Sequence, residues 1–270
     1  MRSVGSGGTP GGRLGVDGFF GDHAVDSGFA DDEAQRLPLA QLGLVDGSEG
    51  VGQVRVLGID QRGAVEFVAR LLRAQWQANQ ESALAWRIER ARLPEQWTLE
   101  SFPFKRQPGV NQRQIRTFAE LEFIPKAENI VFVGPTGVGK TGLASALLLK
   151  ALQNGHRGIF MRAQDLFDEM YASLADRSTR RLLNRLAKVD VLVIDEMGYL
   201  NLRPEQTNIF FKLMEERYRQ RPTIITTNLD YAEWANFLGN KALVEALLSR
   251  LRHQCHTVKI DGPSLRDPKA

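Results

Sequence analysis

Short runs of consecutive apolar residues recur through the second half of the chain, and segments with helical periodicity separate them. Residues 130–133, 191–194 and 222–228 are rich in β-branched side chains, which is typical of strands buried on both faces of a parallel sheet. Residues 158–162 and 257–260 predict two further short strands. Strands that alternate with helices in this way indicate an α/β fold with a central parallel sheet flanked by helices.

The predicted helices carry their apolar residues at three- and four-residue spacing. The segments with this spacing are residues 62–92 (one or two amphipathic helices that end near Pro94), 112–121, 143–151, 164–174, 176–188, 231–237 and 241–252.

These elements divide the chain into four parts. We expect residues 129–268 to form the α/β domain and residues 61–94 to form a small helical region before it, whose surplus arginines are either solvated or a surface for a partner or nucleic acid. Residues 95–128 are a connector. Its aromatic side chains Trp97, Phe102 and Phe104 could stack on bases, but we expect them to anchor it onto the domain. Residues 1–60 hold 14 of the 25 glycines and predict a disordered acidic extension.

Charge is distributed unevenly along the chain. Residues 1–60 hold four basic and nine acidic residues, whereas the rest holds 31 basic and 23 acidic residues. The basic surplus therefore belongs to the folded part and favours an anionic partner. No apolar stretch approaches 18 residues, so we expect no membrane helix. The single Cys255 permits no internal disulfide and fits a protein of the reducing cytoplasm.

The strongest motif lies between the first predicted strand and the helix that follows it. Residues 134–141 read Gly-Pro-Thr-Gly-Val-Gly-Lys-Thr and fit the phosphate-binding pattern Gly-x4-Gly-Lys-Ser/Thr. Backbone N–H groups in such a loop converge on phosphate oxygens, which requires conformations open mainly to glycine. We expect Lys140 to reach the β- and γ-phosphates of ATP and the Thr141 hydroxyl to ligate Mg²⁺. The predicted nucleotide-binding residues are Gly134, Pro135, Thr136, Gly137, Val138, Gly139, Lys140 and Thr141.

Polar residues end two of the other predicted strands. Asp195 and Glu196 follow residues 191–194, at the carboxyl end of a strand, where open α/β sheets bind their ligands. Asp195 is the expected Mg²⁺ partner through water, and Glu196 is the expected general base for an attacking water. Asn228 ends residues 222–228 and is expected to orient water or contact the γ-phosphate, unless it only caps the following turn.

Basic residues are concentrated around residues 176–188. This surface is either a solvated helix face or a contact for the phosphate backbone of DNA, and its one-signed, unpaired charge favours DNA. Arg250, near the end of residues 241–252, either interacts with its own helix dipole or reaches a γ-phosphate bound to a neighbouring subunit. The predicted DNA-contact residues are Arg177, Arg180, Arg181, Arg185 and Lys188.

The order of these motifs resembles that of the AAA+ ATPases: glycine loop, Asp-Glu strand, Thr-Thr-Asn strand, and then Ser-Arg-Leu at residues 249–251. More narrowly, residues 62–268 resemble the IstB-like transposition helper ATPases of bacterial insertion sequences, which are related to the DnaC-type helicase loaders. The resemblance implies that Lys140 and Thr141 belong to Walker A and that Asp195 and Glu196 form Walker B. It also implies that Asn228 is sensor 1 and that Arg250 is an arginine finger.

The resemblance implies a Mg²⁺-dependent ATPase that assembles with ATP into an oligomer on DNA, expected to be duplex without sequence preference, and acts on a transposase. Two alternatives stay open: a DnaC-type replicative helicase loader, which would favour single-stranded DNA, and an ATP-switched DNA-binding module without significant hydrolysis. The chain departs from the family in having Gly142 where many members have His, and Leu265 where many have Tyr before an Arg, here Arg266. Residues 1–60 carry no recognised family motif.

Overall fold

The structure is a computed structural model, and it describes residues 61–198, 200–239 and 241–266, with the backbone alone for residues 61–64. The disordered extension predicted for residues 1–60 lies outside the described residues.

A single sheet of five parallel strands forms the centre of the described chain. The strand order across the sheet is β2-β3-β4-β1-β5, so β1 lies between β4 and β5 and places its ends next to both. This arrangement confirms the predicted α/β fold. The strands are β1 (Asn129–Val133), β2 (Gly158–Arg162), β3 (Val191–Met197), β4 (Thr223–Thr227) and β5 (Cys255–Lys259).

Helices cover both faces of this sheet. Helix α1 is one continuous helix, and a short 3-10 turn at Phe104–Arg106 lies in the connector. No helix in the described part of the chain is both long enough and apolar enough to span a membrane. The helices are α1 (Gln61–Ala91), α2 (Gln112–Ala119), α3 (Lys140–Gln153), α4 (Ala163–Ala175), α5 (Thr179–Lys188), α6 (Pro204–Arg217), α7 (Trp234–Leu238) and α8 (Lys241–His253).

The alternation of side chains along β1 divides the core into two layers. Ile130 and Phe132 pack with α3, α2 and the connector, whereas Val131 and Val133 pack with α4 to α8 on the opposite face. The connector joins the first layer through Phe102, which is 4% exposed and contacts Phe104 edge to face, with ring centroids 4.8 Å apart. The strands with continuous apolar runs are therefore buried on both faces, as those runs predict.

Helix α6 is not among the predicted elements. Its signals are a proline at its first position and apolar side chains at helical spacing, with Ile209, Phe210 and Leu213 buried. The backbone N–H of Arg203 donates to Oε1 of Gln206 over 2.8 Å and fixes the first turn.

A buried arginine at the end of α6 contacts the amino-terminal end of the sheet. Arg217 is 1% exposed, and its guanidinium donates to the carbonyl oxygens of Leu186 (2.7 Å), Val189 (3.0 Å) and Pro222 and to Oγ1 of Thr223 (3.0 Å). Burial lowers its pKa to about 9, so the group still carries its charge at neutral pH. Arg217 thus fixes the end of α5 against the start of β4.

We expect Arg217→Met to lower the free energy of unfolding by about 3 kcal/mol or more, because several buried acceptors lose their donor. Urea unfolding followed by circular dichroism measures the change. The matched control is Arg221→Gln, which removes a half-exposed ion pair with Asp190 and should cost less than about 1 kcal/mol. Equal losses for the two variants would show that Arg217 is not a structural tie.

Candidate nucleotide-binding site

The glycine loop connects β1 to the first turn of α3, as the sequence predicts. Gly137 and Gly139 have φ values of 87° and 96°, a left-handed backbone that other residues rarely adopt. At Gly134 the restriction is steric, since a Cβ there would lie 2.3 Å from the carbonyl oxygen of Ile260. The loop therefore keeps a shape that exposes its backbone N–H groups at a helix N-terminus, which is suited to binding an anion.

Lys140 folds back over the loop that precedes it. Its Nζ donates to the carbonyl oxygens of Gly134 (2.7 Å) and Pro135 (2.6 Å). Burial lowers the pKa of Lys140, although the nearby carboxylates of Asp195 and Glu196 partly oppose this shift. The ammonium group thus lies between the loop and the acidic pair at the end of β3.

The two predicted metal ligands, Thr141 and Asp195, are in direct contact. Oγ1 of Thr141 lies 2.9 Å from Oδ1 and 3.1 Å from Oδ2 of Asp195. Oγ1 of Thr226, on β4, donates to the same Oδ1 over 2.5 Å. Asp195 is 3% exposed, and this burial raises its pKa, while the two hydroxyl donors lower it.

The donor set fits Mg²⁺, which prefers oxygen ligands and usually takes one or two from the protein. Thr141 and Asp195 supply a hydroxyl and a carboxylate side by side. Within the described residues, no group of three or more His, Cys, Asp and Glu side chains could hold a metal. A cation at this point would therefore complete its shell with phosphate oxygens and water.

Glu196 projects differently from its neighbour because β3 is irregular at this point. The register with β4 shifts between Ile194 and Met197, and Glu196 has a φ of 58°, which is costly for a residue other than glycine. Its backbone N–H donates to Oγ1 of Thr226 over 2.9 Å. Asp195 is consequently buried, while the side chain of Glu196 is exposed at the wall of a cavity.

Asn228 reaches the same cavity from the end of β4. Gly198 has a φ of 139°, and a Cβ at this position would lie 2.9 Å from Oδ1 of Asn228. Oγ1 of Thr227 donates to the carbonyl oxygen of Met197 over 2.6 Å, which joins the ends of the two strands. Gly198 therefore leaves the space in which the Asn228 amide lies.

The cavity has a volume of about 790 Å³ and brings most of the predicted site together. Residues of the glycine loop, Glu196 and Asn228 are among those that line it. The lining also includes residues that the sequence did not predict for the site, among them Trp97, Arg162 at the carboxyl end of β2, and Arg266. The position of Arg162 at a strand end was the available signal for that residue.

Two aromatic side chains, Trp97 and Phe102, also line the cavity. The indole of Trp97 covers Gly142, where a Cβ would lie 3.4 Å from the ring. Nε1 of Trp97 donates to Oε2 of Glu95 over 2.6 Å, and its ring contacts Phe102 edge to face. Gly142, where many family members have histidine, thus packs directly beneath this tryptophan.

The remaining predicted residues lie away from the cavity. Arg250, on α8, is 3.7 Å from the carboxylate of Glu215 on α6 and is not among the residues that line the site. All five predicted DNA-contact residues are exposed. The expectation that they are unpaired is wrong for Arg185, which lies 2.5 Å from Glu169 on the neighbouring α4.

A parallel sheet of this order, with a glycine loop after β1 and an acidic pair at the end of β3, defines a P-loop protein of the AAA+ class. Within that class, the chain belongs to the IstB-like ATP-binding protein family, whose family model matches residues 39–270. The match begins earlier than the motifs indicate, so residues 39–60 belong to the shared region and only residues 1–38 lie outside it.

Named relatives agree with this assignment. The chain is 37% identical over 201 residues to an ATP-binding protein of insertion sequence IS21 from Pseudomonas aeruginosa, covering 74% of this chain and 76% of the relative. It is 36% identical to the corresponding protein of IS5376 from Geobacillus stearothermophilus, covering 74% and 80%. Among solved structures, the DnaC helicase loader is similar with a TM-score of 0.52 and 26% identity, covering 61% of this chain and 96% of that chain.

We expect Thr226→Val to weaken Mg²⁺-dependent nucleotide binding about tenfold, because the methyl group cannot donate to Asp195 or accept from the N–H of Glu196. Titration with a fluorescent ATP analogue, with and without Mg²⁺, measures the loss. Thr226→Ser keeps the hydroxyl and should bind nearly as the unsubstituted chain does. If the serine variant loses as much affinity as the valine variant, the hydroxyl is not the cause.

We expect Asp195→Asn to stabilise the ligand-free chain at neutral pH by up to about 1 kcal/mol. Because burial raises the pKa of Asp195, the folded chain keeps a proton on this carboxyl at pH values where the unfolded chain has lost it. The ionised carboxylate therefore costs stability above its folded-state pKa, and the cost disappears as the pH falls through that value. Thermal unfolding should show a gain in Tm that shrinks towards acidic pH. A gain that grows on acidification would contradict this sign.

Proposed function

We propose that this protein binds and hydrolyses ATP with Mg²⁺ and that it acts as a helper ATPase of insertion-sequence transposition. The observation that carries the hydrolysis proposal is the placement of Glu196, exposed in the cavity beside the buried Asp195. An exposed carboxylate at this point is suited to accept a proton from water, a role that nucleotide binding alone does not require.

The residues of the site divide the work between binding and proton transfer. The loop N–H groups and Lys140 bind the phosphates, while Thr141 and Asp195 would hold Mg²⁺, which neutralises charge on the β- and γ-phosphates. Glu196 accepts a proton from the water whose oxygen attacks the γ-phosphorus, as the bond to the bridging oxygen breaks. Asn228 orients this water through its amide.

The proposed roles of the lining residues set the direction of the nucleotide. Glu196 and Asn228, which line the cavity together with Lys140 and Thr141, act at the γ-phosphate. We propose that the base binds against Trp97 and Phe102, two aromatic residues that also line the cavity. Stacking on these rings supplies binding energy that does not depend on charge.

Assembly of several subunits would add an arginine to Arg162 and Arg266, which line the cavity of the same chain. Arg250 lies outside the cavity of its own chain and is 46% exposed on α8. We propose that it contacts the γ-phosphate bound to a neighbouring subunit, where it stabilises the charge of the transition state. The exposed basic residues of α5 contact the phosphate backbone of duplex DNA in the same assembly.

The transposition role rests on the relatives, which are named as ATP-binding proteins of insertion sequences. A transposase is therefore the proposed protein partner. The similarity to the DnaC helicase loader supports the alternative role, helicase loading. ATP hydrolysis stimulated by transposase together with duplex DNA supports the first role, and stimulation only by a replicative helicase with single-stranded DNA supports the second.

We expect Lys140→Ala to abolish ATP binding, and Glu196→Gln to keep binding while lowering turnover at least a hundredfold, within the range of general-base catalysis. Phosphate release and binding of a fluorescent ATP analogue, both with Mg²⁺, separate the two effects. Glu205→Gln, an acid in the first turn of α6, is the matched control and should turn over normally. Normal turnover by Glu196→Gln would exclude its role as the base, and no ATP binding by the unsubstituted chain would exclude the proposal.

A further inference from the structure

A second concave surface lies on the edge of the sheet, outside the nucleotide site. It is a groove of about 620 Å³ between the end of α1 and the edge strand β2. We call it the arginine groove and define it by Trp86, Arg87, Arg90, Arg92, Arg157 and Arg185, which all line it. Glu89 is the one acidic residue among its lining residues.

Two of the arginines are held in place by groups of the domain. Nε of Arg87 donates to the carbonyl oxygen of Leu152 over 2.9 Å, which fixes α1 against the end of α3. Nη2 of Arg157 lies 3.4 Å from the carbonyl oxygen of Lys188 and 3.8 Å from the carboxylate of Asp190. These contacts fix the positions of the Arg87 and Arg157 side chains at the groove.

The other two arginines near the end of α1 carry a charge that no acidic side chain neutralises in the described part of the chain. Across the described part of the chain, neither Arg90 nor Arg92 forms an ion pair. The guanidinium of Arg90 lies over the ring of Trp86, 4.2 Å from its centroid, and this tryptophan is 48% exposed. A half-exposed indole beside unpaired cations is the combination that proteins use to stack on an unpaired base while binding its phosphates.

We propose that the arginine groove binds a single strand of DNA, with phosphates against Arg90 and Arg92 and an unpaired base on Trp86. The groove is continuous with the basic surface of α5, because Arg185 belongs to both and Arg157 contacts the end of α5. A strand leaving a duplex on α5 therefore has a charged path into the groove. This inference extends the proposed DNA binding, but it rests on different residues and does not require ATP hydrolysis.

Fluorescence anisotropy with a labelled oligo-dT strand and a blunt duplex of equal length tests the groove on the full chain. We expect Arg90→Ala combined with Arg92→Ala to weaken strand binding at least tenfold and to make the salt slope shallower by roughly 0.7 for each arginine that contacts a phosphate. Arg113→Ala combined with Arg116→Ala removes the same charge from exposed positions on α2 and should bind normally. The groove variants should keep their ATPase rate in the absence of DNA. A failure of the groove proposal can therefore be distinguished from a failure of the proposed ATPase function.

Trp86 supplies the test of strandedness. We expect Trp86→Ala to weaken strand binding about fivefold or more and to leave duplex binding unchanged, whereas Trp86→Phe keeps a stacking ring and retains most of the affinity. Equal loss for strand and duplex would overturn the stacking of an unpaired base. Unchanged strand binding by the double arginine variant would overturn the groove as a DNA site. Displacement of the strand by poly-glutamate at equal charge concentration would identify an acidic peptide surface and overturn it as well.

Discussion

The rest of the site depends on the hydrogen bonds between the buried carboxylate of Asp195 and two threonine hydroxyls, those of Thr141 and Thr226. This carboxylate joins the start of α3, the end of β3 and the end of β4, because Thr141, Asp195 and Thr226 come from these three elements. The sheet order makes this possible, since β4 lies between β1 and β3 and brings Thr226 to the edge where both neighbours end. A shift of any of these strands would separate the phosphate loop from the acidic pair.

This arrangement costs stability at several points. Burial opposes the charge of Asp195, and Glu196 has a left-handed backbone that favours glycine. The hydroxyl of Thr226 on β4 holds both residues in place, because it donates to the carboxylate of Asp195 and accepts from the backbone N–H of Glu196. The cost is concentrated at the end of one strand, while the opposite end of the sheet is fixed by Arg217, whose guanidinium donates four hydrogen bonds. Functional strain and structural rigidity thus occupy opposite ends of the same sheet.

The fold and the centre of the site could be predicted because their signals are local. The apolar run at residues 191–194 indicates by itself a strand buried on both faces. The eight residues of the glycine loop are enough to indicate phosphate binding. The partners that complete the site are distant in sequence, as Trp97 is from Gly142, and only the packing brings them together. The same reason explains why Arg185 was expected to be unpaired, since Glu169 lies on another helix. Helix α6 was missed although its proline and apolar spacing were local signals.

The packing of Trp97 on Gly142 has a consequence for variation at these two positions. The indole packs on Gly142, and a Cβ at this position would lie in van der Waals contact with it, 3.4 Å from the nearest ring carbon. The two residues therefore behave as one unit, and the effects of substituting them are not additive. A larger side chain at position 142, such as histidine, would extend beyond that Cβ beside the ring, so its effect depends on the residue at position 97. Substitutions at the two positions are therefore expected to influence each other as the sequence diverges.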